Sequence, residues 1–490
     1  MVTLFTNKEE YRNDLCEIIR AYLGMVEIDA SSVWEDTQGY ALSVTLTQED
    51  GYRAVARGYK ENGLQSTSSI PVKASSDDAP LLLKRQEKRA MKIALFRVLR
   101  ELEPDILLPW GSLTGIRPTK LLRELMEDEG RKEALRIFQE EFDVQPQKAK
   151  LASGIVEVQR AILQSIESNA VSLYVGIPYC RTRCLYCSFP SVVSGDKGVP
   201  EDYLNGLLQE ISQSAELIKE AGLRVRSTYI GGGTPTVLSA DQLKRLLAHV
   251  SKSYYGFGSE LTVEAGRPDS LTEAKFRALH ASGVDRISLN PQTMQLQTLR
   301  RIGREHTPED IIAAYYMARE IGFQSINMDV IAGLPGEGVV EFEDTISRIA
   351  SLNPDNLTVH TLAVKRSSRL KEQIEAYPLP EAEEAERMVA LGMEYANHMG
   401  MQPYYMYRQK YMRGNLENVG YALPGKECIY NVDMMEEAVS IMAHGAGAMT
   451  KRVFQGRDVR VERLPAPKDI VTYLNKLPAF LESKRVLFCG

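Results

Sequence analysis

From residue 171 onward, short apolar runs alternate with segments whose apolar residues recur at helical spacing. The pattern predicts strands at 171–177, 226–231, 260–265, 284–290, 325–331 and 356–361. Between them it predicts helices at 201–221, 240–254, 271–282, 308–321 and 339–351. This strand-then-helix rhythm is the signature of an α/β protein, a parallel sheet with helices packed outside it. Right-handed crossovers would curl six such units into a partial (β/α)6 barrel. An open doubly wound sheet is the alternative, because rhythm alone does not decide closure.

The flanks break the rhythm. Residues 1–165 read as an N-terminal α+β domain with a short amphipathic helix at Asn13–Leu23. Two alternating strands follow within Gly39–Tyr59, joined at Glu49-Asp50-Gly51, then a polar loop from Ser66 to Asp78. Leu81–Leu102 is predicted as a helix with a solvated basic face. The turn-rich run from Pro109 to Lys120 either presents Arg117 and Lys120 to an anion or is a structural turn before a helix from Leu121. Helices at 133–140 and 148–168 lead to the barrel, 166–375. Residues 376–490 read as a C-terminal domain or extension with a helix at Glu381–His398, a strand at Pro403–Tyr407 and a small-residue turn at Met442–Ala448. The tail Arg485–Gly490 either folds over a pocket or is disordered.

Composition narrows the class. A chain of 490 residues suggests two or three domains, and 44% hydrophobic with 25% charged residues is ordinary for a globular protein. A net charge of −6 argues against nucleic-acid binding. No apolar run approaches a membrane span and the N-terminus has no signal-like h-region, so a cytoplasmic location is expected.

Three of the six cysteines, Cys180, Cys184 and Cys187, fall in a C-x3-C-x2-C spacing directly after the first barrel strand. Thiolates bind soft metals and iron–sulfur clusters, and a full cage uses four cysteines. Here Cys16, Cys428 and Cys489 are distant, so three thiolates would leave one iron of a [4Fe–4S] cluster open to a small molecule. A three-cysteine catalytic zinc and a merely buried cysteine group are the competing readings. Disulfides fit poorly without a secretory segment.

In parallel α/β folds, ligands gather at the C-terminal ends of the strands. The unusual residues fall there each time. Gly231-Gly232-Gly233-Thr234-Pro235 follows the second strand, Glu264 closes the third, Asn290–Gln292 close the fourth, and Asp329–Pro335 finish the fifth. Consecutive glycines let backbone approach a ligand closely, or simply make a tight turn. Glu264 is alternatively a cap or salt-bridge partner, and Arg304 with Asp329 an ordinary surface pair.

The cysteine spacing, with aromatic Tyr186 before the last cysteine, resembles the cluster motif of the radical S-adenosylmethionine (SAM) enzymes. The segment Tyr174-Val-Gly-Ile-Pro-Tyr-Cys looks like the oxygen-independent coproporphyrinogen III oxidase family, and Pro109–Lys120 is similar to a signature of its HemZ-type (coproporphyrinogen dehydrogenase-like) subgroup. The resemblance implies a [4Fe–4S] cluster on Cys180, Cys184 and Cys187 and a SAM on its open iron. It places Gly232, Gly233 and Thr234 on the SAM amino group, Glu264 on SAM, Gln292 on the ribose and Arg304 on the carboxylate. Asp329 would take the ribose or a second SAM, Ile331 the adenine, and Tyr174 and Tyr186 would flank the cofactors. The implied chemistry is a 5′-deoxyadenosyl radical that abstracts hydrogen from a propionate of coproporphyrinogen III, with loss of CO2 leaving a vinyl group. It needs an electron donor such as flavodoxin or ferredoxin. A tetracarboxylate substrate would call on cations, with Arg181, Arg183, Lys365, Arg366, Arg369, Arg408 and Arg413 as candidates. The alternatives are a haem-binding delivery protein of the same family and another radical reaction on haem, ring opening or alkyl transfer. His444 is either a tetrapyrrole contact or a packing residue. Three positions depart from the family pattern: Gly176 where a His is common, Ser188-Phe189 where a further cysteine is common, and Asn290 for a Gly.

Overall fold

The structure, a computed structural model, describes all residues except 25, 32–39, 50, 61–62, 74–79, 410–411 and 455–459, and gives no side-chain placement for Ser31 and Arg413. The chain divides after Ser153 into two units, Met1–Ser153 and Gly154–Gly490. The division expected near 165 thus moves into the helix Pro146–Gln164. No separate unit begins at 376.

The first unit is a five-stranded sheet of β1 (Val2–Thr6), β2 (Ile28–Ser31), β3 (Tyr40–Thr47), β4 (Arg53–Lys60) and β5 (Gly63–Pro71), in the order β2-β1-β3-β4-β5. Helices Arg12–Leu23 and Pro80–Leu102 bury Leu15, Ile19, Met91, Leu95 and Leu99 against Leu42, Val44, Ala54 and Ala56. The polar loop expected from Ser66 is instead a strand as far as Pro71. Its serines and threonines pair with β4 through the backbone, which hydrophobic patterning cannot register. Asp50 of the expected turn and residues 74–78 of that loop lie outside the described residues. The Pro109–Lys120 run is an ordered turn before a helix. Trp110 is fully buried, Gly111 has φ 53° with the Phe142 carbonyl where a Cβ would sit, and Ser112 N donates to Phe142 O at 2.9 Å. Pro118 then opens the helix Pro118–Glu129, where a missing N–H costs nothing.

The second unit begins with β6 (Ala170–Ile177) and the two-residue strands β7 (Tyr179–Cys180) and β8 (Val192–Val193). The remaining predicted strands are present as β9 (Arg224–Gly232), β10 (Leu261–Gly266), β11 (Arg286–Gln292), β12 (Ser325–Ala332) and β13 (Asn356–Thr361). Further strands follow: β14 (Gln402–Tyr407), β15 (Asn418–Ala422), β16 (Ser440–His444), β17 (Met449–Phe454) and β18 (Arg460–Pro465). All but β7 and β8, which pair with each other, form one sheet in the order β14-β15-β13-β12-β11-β10-β9-β6-β16-β17-β18. The six predicted strands run parallel and adjacent through its middle. Helices Glu201–Glu220, Ala240–Tyr254, Glu273–Ala281 and Pro308–Ile321 pack one against the next as an outer layer. The sheet ends in edges β14 and β18, so the barrel is partial.

Residues 376–490 therefore belong to the barrel sheet. β15 pairs antiparallel with β13, and β16 pairs parallel with β6. The tail is neither disordered nor a flap. It completes a helix, Ile470–Cys489, packed on Glu201–Glu220. Fixing it is a fully buried ion pair, Lys484 Nζ to Glu210 Oε1 at 2.7 Å, both side chains 0% exposed. Tyr473 and the Gly445 amide also donate to Glu210, while Lys484 donates to Ser214 and to the Ala443 carbonyl. Burial would raise the Glu210 carboxyl, but Lys484 and the other groups around it, Tyr473 among them, together hold it below the usual range.

His444 takes the packing role. It is fully buried, Nδ1 faces the Tyr174 carbonyl at 2.9 Å, and Nε2 meets the Tyr254 hydroxyl at 2.7 Å. A carbonyl only accepts, so Nδ1 carries the proton and Nε2 accepts from Tyr254. Burial and the nearby Lys484 depress its pKa to about 3, so the ring stays neutral.

Candidate functional site

The cysteines ride on a loop fixed at both ends and at its middle. Cys180 lies on β7, which pairs with β8, and Val192 N and Ser194 N donate to Pro178 O and Cys180 O at 2.8 and 2.9 Å. Cys187 N donates to Cys184 O at 3.2 Å, closing a tight turn. Leu185 N donates to Ile302 O at 2.9 Å and Leu185 O accepts from Leu370 N at 3.0 Å. Cys180 is buried, Cys184 and Cys187 half-buried, and all six cysteines are free, which removes the disulfide reading. Burial pushes the Cys187 thiol up, and Cys184 and Cys180 add to the effect.

The glycine run sits directly on this loop. Gly233 N and Thr234 N donate to Ile177 O and Tyr179 O, both at 2.8 Å, and Thr234 Oγ1 lies 3.6 Å from Cys180 Sγ. A Cβ on Gly233 would stand 2.5 Å from Tyr179 O and 2.9 Å from Cys180 Sγ. On Gly231 it would meet the Glu264 carboxylate at 2.9 Å, and Gly232 has φ 114°. A side chain at Gly233 displaces the cysteine loop. We expect Gly233→Ala to lower cluster content and SAM-dependent deoxyadenosine formation by roughly tenfold or more, measured by iron analysis and chromatography.

Glu264 lies two residues before the end of β10, under Tyr229, whose hydroxyl donates to it at 2.7 Å. Burial raises its carboxyl to about 7 against that hydrogen bond. The folded state thus holds this proton more tightly than the unfolded chain. Its stabilising contribution is fully present below pH about 4.5 and lost as pH rises through about 7. Subtracting the urea-melt stability of Glu264→Gln from that of the wild type should leave a fall of roughly 2–4 kcal/mol across that window.

Gln292 ends β11 at φ 68°, a left-handed conformation unusual outside glycine, with its Oε1 buried and unpartnered. Arg304 Nη1 donates to Asn290 O at 2.5 Å, while its Nε is also buried without a partner. Burial would lower the Arg304 pKa, but Tyr186 and Cys184 beside it hold it above the ordinary value. Asp329 accepts from Asn327 Nδ2 at 2.7 Å and lies 3.7 Å from His360 Nε2. Burial opposes its charge, yet His360 and Asn327 keep its pKa below normal. Ile331 packs with Leu185, Ile302, Leu362 and Leu370, beside Tyr186. Tyr174 stacks with Tyr229 and Tyr430 at centroid distances of 6.4 and 6.2 Å.

Residues 174–349 match the family model of the radical SAM superfamily. The chain is 37% identical over 459 residues to a Bacillus subtilis (strain 168) protein described as oxygen-independent coproporphyrinogen-III oxidase-like protein HemZ, covering 92% of this chain and 90% of the relative. This chain belongs to that radical SAM family. It is also 37% identical over 196 residues to the heme chaperone HemW of the same organism, covering 40% of this chain and 51% of HemW. Among solved structures, the radical SAM coproporphyrinogen III oxidase HemN from Escherichia coli superposes with a TM-score of 0.51 at 25% identity, covering 66% of this chain and 72% of HemN.

The radical SAM family uses a [4Fe–4S] cluster and SAM, and the residues present fit both. Among the described residues no three His, Cys, Asp or Glu side chains converge as a single-ion site. A cubane cluster asks for a different arrangement, each thiolate on its own iron. The bare-backbone cradle at Gly231–Gly233 and the two buried unpaired atoms, Gln292 Oε1 and Arg304 Nε, suit a zwitterionic ligand carrying a ribose.

The candidate substrate cations differ in their surroundings. Arg181 is engaged by Asp196 at 2.9 Å and Glu305 at 3.7 Å. Arg408 is buried, which lowers its pKa to about 10, and the side chain of Arg413 lies outside the described set. Asn290, at the position of the family's Gly, accepts from Ser288 Oγ at 2.6 Å.

Sequence reasoning missed three residues at this rim. Arg267 pairs with Asp269 at 2.8 Å and reaches Thr182 O and Cys184 Sγ at 3.2 and 3.9 Å, and His306 is buried with both ring nitrogens unpartnered. Burial and Arg304 lower the His306 pKa to about 3. The available signal was position, since Arg267 follows the strand end at Gly266 and His306 follows Arg304 by two.

Proposed function

We propose that this chain is a radical SAM enzyme acting on a tetrapyrrole, and that its reaction is the oxygen-independent oxidative decarboxylation of coproporphyrinogen III propionates to vinyls. The observation that carries the reading is the contact of the three-cysteine loop with the glycine cradle, flanked by buried unpaired polar atoms at Gln292 and Arg304. Cys180, Cys184 and Cys187 would hold the cluster. Gly232, Gly233, Thr234 and Glu264 would hold the amino group of SAM, Arg304 its carboxylate, Gln292 and Asp329 the ribose hydroxyls, and Ile331 the adenine, with Tyr174 and Tyr186 alongside. Bound together, cluster and SAM supply a carbon radical able to take a hydrogen atom from the substrate.

The chain's residues set the geometry for that event. Arg304 stays cationic beside Tyr186 and offers planar donors to a carboxylate. Asp329 stays ionised, so its oxygens accept from a diol. Glu264, poised near neutrality under Tyr229, ionises when an ammonium arrives. The apolar packing of Ile331 with Leu185, Leu362 and Leu370 keeps water from one side of the site. No helix among the described residues is long and apolar enough to cross a membrane. The free cysteines fit a reducing compartment, and we place the reaction in the cytoplasm with flavodoxin or ferredoxin as donor.

The test is anaerobic incubation of reconstituted protein with SAM, dithionite and either coproporphyrinogen III or haem. Protoporphyrinogen with CO2 and deoxyadenosine is the expected result. Stoichiometric haem binding without turnover would favour the delivery-protein reading, which the similarity to HemW supports. Products derived from haem would replace both with a different radical reaction.

A further inference from the structure

The cluster loop adjoins a second segment, 363–371, which carries Lys365, Arg366 and Arg369 of the cations considered for the substrate. Arg183 Nη2 donates to Ser367 O at 2.9 Å, Arg369 donates to the Arg183 carbonyl, and Ser367 Oγ reaches Ser188 O at 3.4 Å. With the Leu370–Leu185 bond these contacts make one continuous surface around the half-buried Cys184 and Cys187. Neither segment contains an acid between Arg181 and Gly195 or between Ala363 and Lys371. Among the described residues, Arg183, Lys365, Arg366, Arg369 and Lys371 have no carboxylate within ion-pair distance, whereas Arg181 nearby has two. Five cations without a carboxylate partner thus lie on two adjoining segments of a chain whose net charge is −6.

Beside them is an exposed apolar group. Phe189, two residues past Cys187, is 64% exposed, and Val192 and Val193 of β8 are exposed as well. Apolar side chains next to a charged rim form the anatomy of a protein interface, and a small anion has no use for them. Cys180 instead faces inward, against Gly233 and Thr234.

We propose that this surface docks an acidic one-electron carrier protein. This rests on the cluster reading above. Charge complementarity selects the partner, because an acidic surface is steered onto uncompensated cations and a basic one is repelled. Seated on Phe189, the carrier gives one electron to the cluster across Cys184 and Cys187. The carrier is oxidised by one electron, the cluster is reduced by one, and no bond forms or breaks.

The experiment uses the full chain with reconstituted cluster and no substrate. Bleaching of the cluster absorbance is followed with reduced flavodoxin, and in parallel with dithionite, for the wild type, the double variant Arg366→Glu/Lys371→Glu and the variant Phe189→Ser. Flavodoxin binding is measured by calorimetry at about 20 and 200 mM salt. We expect the flavodoxin-driven rate and affinity to fall roughly tenfold or more in both variants and with salt, and the dithionite rate to stay the same. An unchanged flavodoxin rate, or binding insensitive to salt, overturns the proposal. So does a double variant that weakens coproporphyrinogen binding but not flavodoxin binding, since the surface would then belong to the substrate. The calorimetric arm needs no cluster, so a chain that fails to take one up sinks the functional reading and still decides this one.

Discussion

Cys184→Ser is expected to abolish the cluster's visible absorbance after anaerobic reconstitution and to lower SAM cleavage by more than about a hundredfold. Cys184 is the cleanest of the three positions to replace. It is half-buried, and its Sγ is held only weakly by Arg267 Nη1 at 3.9 Å. Cys180 is wedged between Gly233 and Thr234, so its replacement would also disturb packing. The surrounding fold does not depend on the Cys184 thiol, because the loop is held by backbone bonds at Leu185, Cys187 and Ser194. The melting curve of the cluster-free protein should therefore be unchanged. Cys489→Ser is the matched control: that thiol lies on the C-terminal helix against Leu217 O at 3.7 Å, and both cluster and cleavage should survive. Full absorbance and deoxyadenosine from Cys184→Ser would remove the basis of the functional reading.

The second large effect concerns stability. Lys484→Met should destabilise the folded chain by about 3–5 kcal/mol, read from denaturant melts. The loss is not the Coulomb energy of the pair. Removing the cation leaves Glu210 fully buried with only the Tyr473 hydroxyl and the Gly445 amide to solvate it, and strips Ser214 and the Ala443 carbonyl of their donor. Combining Lys484→Met with Glu210→Gln removes the stranded charge while keeping an acceptor for Tyr473 and Gly445. The double variant should recover a large part of the loss, so the two changes are strongly non-additive. Additive losses would show that the pair is not coupled as the geometry requires.

The barrel was legible because its elements are local. Each parallel strand is a short apolar run bounded by polar turns, and each helix carries its own periodic stripe, so the limits at Asn356–Thr361 or Pro308–Ile321 needed no tertiary information. The grouping of the candidate site residues was legible for a related reason. In this topology one end of every parallel strand opens onto the same rim, so Gly232, Glu264, Gln292 and Asp329 could be grouped without coordinates. What escaped was set by partners far away in sequence. β5 is polar and holds its place through the backbone of β4. β16 is a brief segment that becomes sheet by finding β6, 270 residues earlier between His444 and Tyr174. Lys484 reads as a surface cation until Glu210 is opposite it. Arg267 and His306 gave no pattern of their own, and only their closeness to Cys184 and Arg304 distinguishes them.

The pairing of β16 onto β6 carries a consequence for synthesis. The strand that launches the barrel has β9 on one side and receives its other neighbour only from a segment near the end of the chain. On the ribosome, β6 must wait with a bare edge and open backbone groups while the whole barrel emerges. An exposed edge of this kind invites pairing with another chain. Premature termination before Ser440 would thus release a product primed to aggregate, and a nascent chain at that stage is a natural client for a chaperone.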